Sequence, residues 1–441
     1  MRIIQITPGT GNFYCGACQR DHALVTTLRA MGHDVMLVPL YLPIVTDEPR
    51  GLATEPIFFG GINVFLQQKS ALFRNTPRWL DKLWDTKPLL RLSAKAAGMT
   101  RPHDLGVITL SMLRGEEGKQ LKELERLLEW LKSQPRPDVI CLSNALLSGM
   151  ARRLKSELGV PVVCALQGED YFLDDLVAPY SAQAWAEMAK RAADVDLFIA
   201  VSHYFGEKMR KRLNISPDRV VVVYNGLRPD GYEPAPAPPQ PPVLGYLAFM
   251  SQIKGLEALV DAFIWLKQRD RVKGLKLRAA GTLAPSSMAF IHKLEHKLKK
   301  AGFVDDAEFL PELDRPQKQV FLRGLSVFSV PATYGEAFGM YLLEAMASGL
   351  PLVQPRHGPF PELIEASGGG VLCAPDSTLA LAEALEQVLL DPAGAQAMGK
   401  KGRAAVLEKF SVDRMARTIE GHLETVIARA DSRAAGALPA P

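Results

Sequence analysis

Residues 325–355 read LSVFSVPATYGEAFGMYLLEAMASGLPLVQP. LSVFSV (325–330) has the continuous apolar character of a buried strand, and Pro331 to Ala337 form a loop at its carboxyl end. GMYLLEAMAS predicts a helix that Gly349 stops, with Pro351 beyond it, and PLVQP (351–355) is the next strand. A strand, a helix and a strand in such quick succession make a parallel sheet with a crossover helix.

The same rhythm extends in both directions. Strands are expected at RIIQI (2–6), DVMLV (34–38), INVFL (62–66), DVICL (138–142), VVCAL (162–166), DLFIAV (196–201) and VVVVY (220–224). They resume at VLGYLA (243–248) and LKLRAA (275–280) before the stretch above. Between the two sets lies PDGYEPAPAPPQPP (229–242), half of it proline. Such a segment cannot sit inside a helix or a central strand and reads as a stiff, extended linker. The chain therefore divides into an N-terminal α/β domain (1–228), the linker (229–242) and a C-terminal α/β domain (243–410). A helix over 411–430 and a flexible tail over 431–441 follow. Open parallel sheets take ligands outside the carboxyl ends of their strands, so two facing sheets would form a cleft with a site on each wall.

Composition excludes several classes. With 441 residues, 47% hydrophobic and 23% charged, the chain is neither disordered nor a small disulfide scaffold. A net charge of +4 gives no argument for nucleic acid. Five cysteines, odd in number and sparse, fit a reducing compartment. The opening MRIIQITPGTGNF is too short in apolar residues for a signal peptide, and no stretch suits a membrane span. A cytoplasmic protein is expected.

Within 325–355, Glu336 lies on the loop and Glu344 about a turn and a half into the helix. Between them the amides of Phe338, Gly339 and Met340 belong to a helix N-terminus, where dipole and donors favour an anion. Two glutamates flanking an anion site suit a ligand with hydroxyls at both ends and phosphates in the middle, as in a nucleotide sugar. Taken alone, the same residues also read as a dipole-complementing Glu336 and a solvated Glu344.

GEAFGMYLLEAMASGLPLV resembles the E-x7-E signature of the family-4 glycosyltransferases, retaining enzymes of the GT-B fold. GVLCAPDSTLALAEALEQVLLDP, EKFSVDRMARTIE and VSHYFGEKMRKRLNISPDRVVVVYNG are similar to further segments of that family, and only about 45–135 lies outside the likeness. The resemblance implies two Rossmann-like domains facing each other across a cleft, the N-terminal one on the acceptor side and the C-terminal one binding the nucleotide sugar. It implies that Glu344 holds the donor ribose, that Glu336 contacts hydroxyls of the donor sugar, and that the amides of Phe338 to Met340 hold sugar and diphosphate. Lys254, in SQIKGLEALVDAF, matches the family's KG element and is expected to reach phosphate. Where the family has Gly-Arg before that element the chain has Ala248-Phe249, so the usual phosphate-binding arginine is absent.

On the N-terminal side CGAC (15–18) aligns with the family's G-G-x-x, and Gly16 permits close approach of backbone to phosphate. Cys15 and Cys18 also form a C-x-x-C, a redox pair or, with His22, three zinc ligands. No second cysteine pair follows, and the residues are read as small side chains packed beneath a loop. Gln167 stands where many family members have a histidine that touches the donor sugar. Asp170 and His203 are acceptor-side candidates, with Ser202 also placed to cap the helix that His203 begins.

Retention by two inversions would need a nucleophile beneath the sugar, and Glu336 is the one obvious candidate. The resemblance assigns it to hydroxyl binding, so front-face attack is expected, with the departing phosphate accepting the acceptor's proton. No metal and no cofactor besides the donor is expected, protein cations and dipoles compensating the diphosphate. The acceptor is expected to be a carbohydrate or lipid-linked hydroxyl, in polysaccharide or glycolipid biosynthesis. A nucleotide-sugar epimerase, which should lack the glutamate pair, and a homologue that binds without turnover are the alternatives. Residues 69–101 carry eight basic side chains against Asp81 and Asp85, a net +6, interleaved with Trp79, Trp84 and several leucines. They read as an interfacial helix for anionic membrane at the inner face, as a collar around an anionic acceptor, or as an amphipathic helix packed on the N-terminal domain.

Overall fold

The computed structural model describes residues 1–9, 16–41, 102–283 and 287–436. The chain forms two compact units: Met1–Tyr224 together with Met415–Pro441, and Asn225–Arg414. In the first unit β1 (Arg2–Thr7), β2 (Asp34–Pro39), β3 (Val139–Leu142), β4 (Val162–Leu166), β5 (Leu197–Ala200) and β6 (Val220–Val222) form one sheet in the order β2-β1-β3-β4-β5-β6. In the second, β7 (Val243–Leu247), β8 (Lys276–Gly281), β9 (Ala307–Pro311), β10 (Val327–Phe328), β11 (Leu352–Pro355) and β12 (Gly370–Cys373) form another, β12-β11-β10-β7-β8-β9. The pairings are parallel throughout.

Helices occupy the crossovers, so the central strands are covered on both faces. Every residue of β3, β4, β5, β7 and β11 is buried, which is why these segments read as unbroken apolar runs. Each sheet reverses its winding once. In the first the switch falls between β1 and β3, in the second between β7 and β10. Ligands of open α/β sheets bind at the carboxyl ends of strands flanking such a switch.

Several expectations shift. The expected strand over 325–330 pairs only at Val327–Phe328, because the backbone turns back at Val330, whose carbonyl accepts the Ala332 amide. Two strands were not foreseen. β9 (AEFLP) is a half-exposed edge strand with Glu and Pro, and β12 (GVLC) opens on glycine. INVFL (62–66) lies outside the described residues.

The proline segment, read as a stiff, extended linker, is bound onto the second unit. Arg315 donates to the Arg228 and Asp230 carbonyls at 3.2 Å, and Arg403 donates to the Tyr232 carbonyl and, at 2.7 Å, to Glu233. Tyr232 is buried. Near the chain's second crossing, Leu227 pairs with Ser411, and a Cβ on Gly226 would lie 2.5 Å from the Ser411 carbonyl oxygen, so only glycine fits there. The last helix runs Val412–Gly436, six residues further than expected, and from Met415 it belongs with the first unit, where Glu420 meets His33 Nε2 at 2.6 Å. Among the described residues no helix is long and apolar enough to cross a membrane.

Candidate active site

In the second unit the chain leaves β7, makes a short turn at Gln252–Lys254, and enters the helix Leu256–Arg269 through Gly255. Gly255 has φ +73°, and a Cβ there would lie 1.8 Å from the Pro331 carbonyl oxygen. The absence of a side chain lets the loop after β10 lie directly on this turn, held by the Thr333 amide donating to the Ile253 carbonyl at 2.9 Å. Lys254 and Glu336, 82 residues apart, thereby meet across the switch point, Nζ to Oε1 at 2.6 Å.

Two tyrosines complete the group. Lys254 Nζ also donates to the Tyr334 hydroxyl at 2.7 Å, and the Tyr341 hydroxyl donates to Glu336 Oε1 at 2.6 Å. Burial alone would lower the Lys254 ammonium's pKa, but the Glu336 charge and Tyr334 outweigh it and hold it above its ordinary value. Burial, reinforced by Glu336, pushes the Tyr341 phenol well up, so it remains a donor at neutral pH.

The helix carrying Glu344 runs Met340–Ala347. It starts from Gly339 at φ +95° with no side-chain cap, and ends with Gly349 at φ +73°, whose amide and that of Leu350 close back on the Met346 and Ala345 carbonyls. Phe338 is buried beneath its start. Glu344 is buried too, not solvated: its Oε1 accepts from the Tyr232 hydroxyl at 2.8 Å and from Lys318 Nζ at 3.3 Å. Each glutamate thus has a lysine and a tyrosine on Oε1, while Oε2 accepts no hydrogen bond from the described residues. The structure brings Lys254 and Glu336 into direct contact and sets Glu344 in a separate group one and a half turns along. Tyr232, Lys318, Tyr334 and Tyr341 were missed. Tyr334 and Tyr341 sit inside the motif and could have been noticed, whereas Tyr232 and Lys318 come from segments 112 and 26 residues away. Phe249, at the family's arginine position, stands 39% exposed.

In the first unit Gly16 begins the helix Gly16–Ala30, and among the described residues nothing lies within 4 Å of where its Cβ would be. The Gln167 side chain donates to the Ser143 carbonyl at 2.7 Å. Its position is set by Glu169, a buried carboxylate that accepts from the amides of Ala145, Gln167 and Gly168 at 2.8, 2.9 and 3.0 Å. Burial raises the Glu169 pKa, and the amides oppose that rise. The sequence reading passed over Glu169, although a carboxylate just after a strand end, before a short helix, is well placed to collect loose amides. Asp170, an acceptor-side candidate, is buried in an ion pair with Lys208 at 2.5 Å. His203 opens the helix His203–Arg212, and Ser202 caps it by accepting the Phe205 amide at 3.1 Å.

Cys18 is buried, its Sγ 3.5 Å from Thr7 Oγ1. Cys15 and the basic segment 69–101 lie outside the described residues. Among the described residues no three His, Cys, Asp or Glu side chains cluster as metal ligands.

Comparison with known proteins matches residues 22–230 to the model "Glycosyltransferase Family 4" and residues 233–405 to "Glycosyl transferases group 1". The chain is 24% identical over 417 residues to glycogen synthase of Mycobacterium tuberculosis, covering 93% of this chain and 91% of that protein. It is 30% identical over 178 residues to the lipopolysaccharide core biosynthesis mannosyltransferase LpsB of Rhizobium meliloti, covering 40% of this chain and 49% of that one. The solved structure of Anabaena HepE in complex with UDP-glucose shares the fold at a TM-score of 0.65 and 15% identity, over 96% of this chain and all of the other. The chain belongs to the family-4 glycosyltransferases, and its two Rossmann-like domains are those of the GT-B fold.

Proposed function

We propose that the chain moves a hexose from a nucleoside diphosphate to an acceptor hydroxyl with retention at the anomeric carbon, without a metal, by front-face attack. The Lys254–Glu336 pair at the switch point of the second sheet carries this reading. Glu336 Oε2 is left for hydroxyls of the donor sugar, and Glu344 Oε2 for those of the ribose. The uncapped helix start at Gly339 and Met340, with the Lys254 ammonium, opposes the charge that grows on the diphosphate as it leaves. The bond from the anomeric carbon to phosphate oxygen breaks as the bond to the acceptor oxygen forms on the same face. The acceptor's proton passes to the departing phosphate. The protein's share is positioning and electrostatics. A relative named for mannosyl transfer and a like-folded protein solved with UDP-glucose support a hexose donor. Lipopolysaccharide core biosynthesis in the former supports a carbohydrate or lipid-linked acceptor.

Incubation with UDP-, GDP- and ADP-hexoses, following nucleotide release, acceptor-dependent product and the product's anomeric configuration by NMR, with and without a chelator, tests each part. The expected product keeps the donor's configuration, and chelator leaves the rate unchanged. Glu344→Ala should weaken donor binding roughly tenfold or more, the scale of losing one or two charge-assisted hydrogen bonds. An inverted product, a chelator-sensitive rate or full donor binding by Glu344→Ala would overturn the corresponding part. A second reading, a binder without turnover, draws on Phe249 in place of the arginine. It predicts donor-induced stabilisation with no product.

A further inference from the structure

The first unit has its own charged group at its own switch point. Arg20, in the helix Gly16–Ala30, is 3% exposed, and its Nη1 donates to Asp21 Oδ1 at 3.0 Å. Asp21 is fully buried, and its other oxygen accepts from the Ser143 hydroxyl. Ser143 follows β3 directly, and Thr7, which ends β1, also bonds to Asp21. Asp21 is therefore held between the carboxyl ends of the two strands that flank the reversal, with both oxygens engaged. It cannot swing to serve the rest of the guanidinium. Arg20 Nε and Nη2 are buried and have no hydrogen-bond partner among the described residues.

Those two atoms are not an arbitrary pair. Nε–H and one N–H of Nη2 point the same way along one edge of the guanidinium, the edge that grips a carboxylate or phosphate through two parallel hydrogen bonds. A buried cation with that edge unused is costly, and nearly all such donors in folded proteins have a partner. The Ser143 carbonyl also accepts the Gln167 side chain at 2.7 Å, so the arginine is connected through Ser143 and Asp21 to the residue that family resemblance places beside the donor sugar.

We propose that Arg20 is an oxyanion receptor for the acceptor, gripping a carboxylate or phosphate of that substrate with Nε and Nη2. Asp21 is the positioning residue, which orients the guanidinium so that this edge keeps no protein acceptor among the described residues. The inference rests on the transferase reading and names a chemical class for its acceptor: one that bears an oxyanion beyond the hydroxyl that is glycosylated.

Inorganic phosphate and acetate, each compared with chloride at equal ionic strength, are the probes. They are titrated into the full chain, already saturated with the nucleoside diphosphate it binds, while thermal stability is followed. Phosphate or acetate should raise the melting temperature of the wild-type chain, the more effective of the two identifying the oxyanion. Arg20→Lys, which keeps the charge but loses the fork, should weaken that response tenfold or more and leave nucleotide binding intact. The double variant Arg20→Met/Asp21→Asn, which removes both charges together, should abolish it. In the transfer assay the effective oxyanion should raise the KM for acceptor and not for donor. The proposal is overturned if neither oxyanion outperforms chloride, if Arg20→Lys responds like the wild type, or if both variants fail to fold, which would make the pair purely structural. A wild-type chain that binds no nucleoside diphosphate would refute the transferase reading instead, and the oxyanion titration then proceeds without it.

Discussion

Replacing Lys254 by methionine leaves the Glu336 carboxylate buried with, among the described residues, the Tyr341 hydroxyl as its one remaining hydrogen-bond donor. The two side chains are 17% and 6% exposed and 2.6 Å apart. At an effective dielectric constant near 20 the gross attraction is about 6 kcal/mol, most of it offset by the desolvation of both ions. What a single variant reveals is the charge left behind, about 3–5 kcal/mol for a buried pair, with the lower end expected because Lys254 keeps some contact with water. Lys254→Met and Glu336→Gln should each lose about 3 kcal/mol. The double variant should lose far less than their sum, a coupling of about 2 kcal/mol or more. For a unit the size of residues 225–414, 3 kcal/mol lowers the melting temperature by roughly 6–12 °C, within reach of scanning calorimetry. The sign of the pH dependence follows from the raised lysine. Its contribution is fully present below the ordinary lysine value of 10.5 and is lost as pH rises through the higher folded value. The deficit of Lys254→Met should therefore be flat from pH 7 to 10. Additive single losses, each below about 1 kcal/mol as at an exposed pair, would refute the claim that this pair is the buried centre of the site.

Gly255→Ala should cost more than about 3 kcal/mol and abolish transfer, because its Cβ would collide with the Pro331 carbonyl in a left-handed backbone; urea denaturation and the transfer assay read both, and a near-wild-type midpoint would refute the packing of the two loops. Glu169 has a folded pKa raised from 4.5, so its contribution is fully present below pH 4.5 and is lost as pH rises through the folded value. Glu169→Gln should flatten that slope in stability measured from pH 4 to 7, and at pH 7 should cost about 1–3 kcal/mol because its NH2 would face amide donors. An unchanged slope would mean that another group titrates.

Much of the fold was legible in the sequence because parallel strands buried on both faces are unbroken apolar runs. VVCAL and VLGYLA are the clearest. β9 was not legible, since a half-exposed edge strand carries no such signal. In the site, Glu336 on the loop and Glu344 within the helix follow from local spacing, as does the Ser202 cap. The ion pair of Asp170 was not legible, because its partner, Lys208, lies 38 residues on. That the proline segment is bound to its own unit was not legible, because nothing in its composition announces Arg315, Arg403 or the buried place of Tyr232.

The sequence by itself determined where the buried central strands lie, which glycine stops the helix that carries Glu344, and that two glutamates eight residues apart frame a helix start. These depend on interactions within a few residues of chain. Only the tertiary structure decided which charges meet. The order of strands places β7 beside β10 and β1 beside β3, and with them Lys254 against Glu336 and Asp21 against Ser143. Such pairings join segments about eighty to more than a hundred residues apart, and it is the winding of each sheet, not any local pattern, that brings them within hydrogen-bond reach.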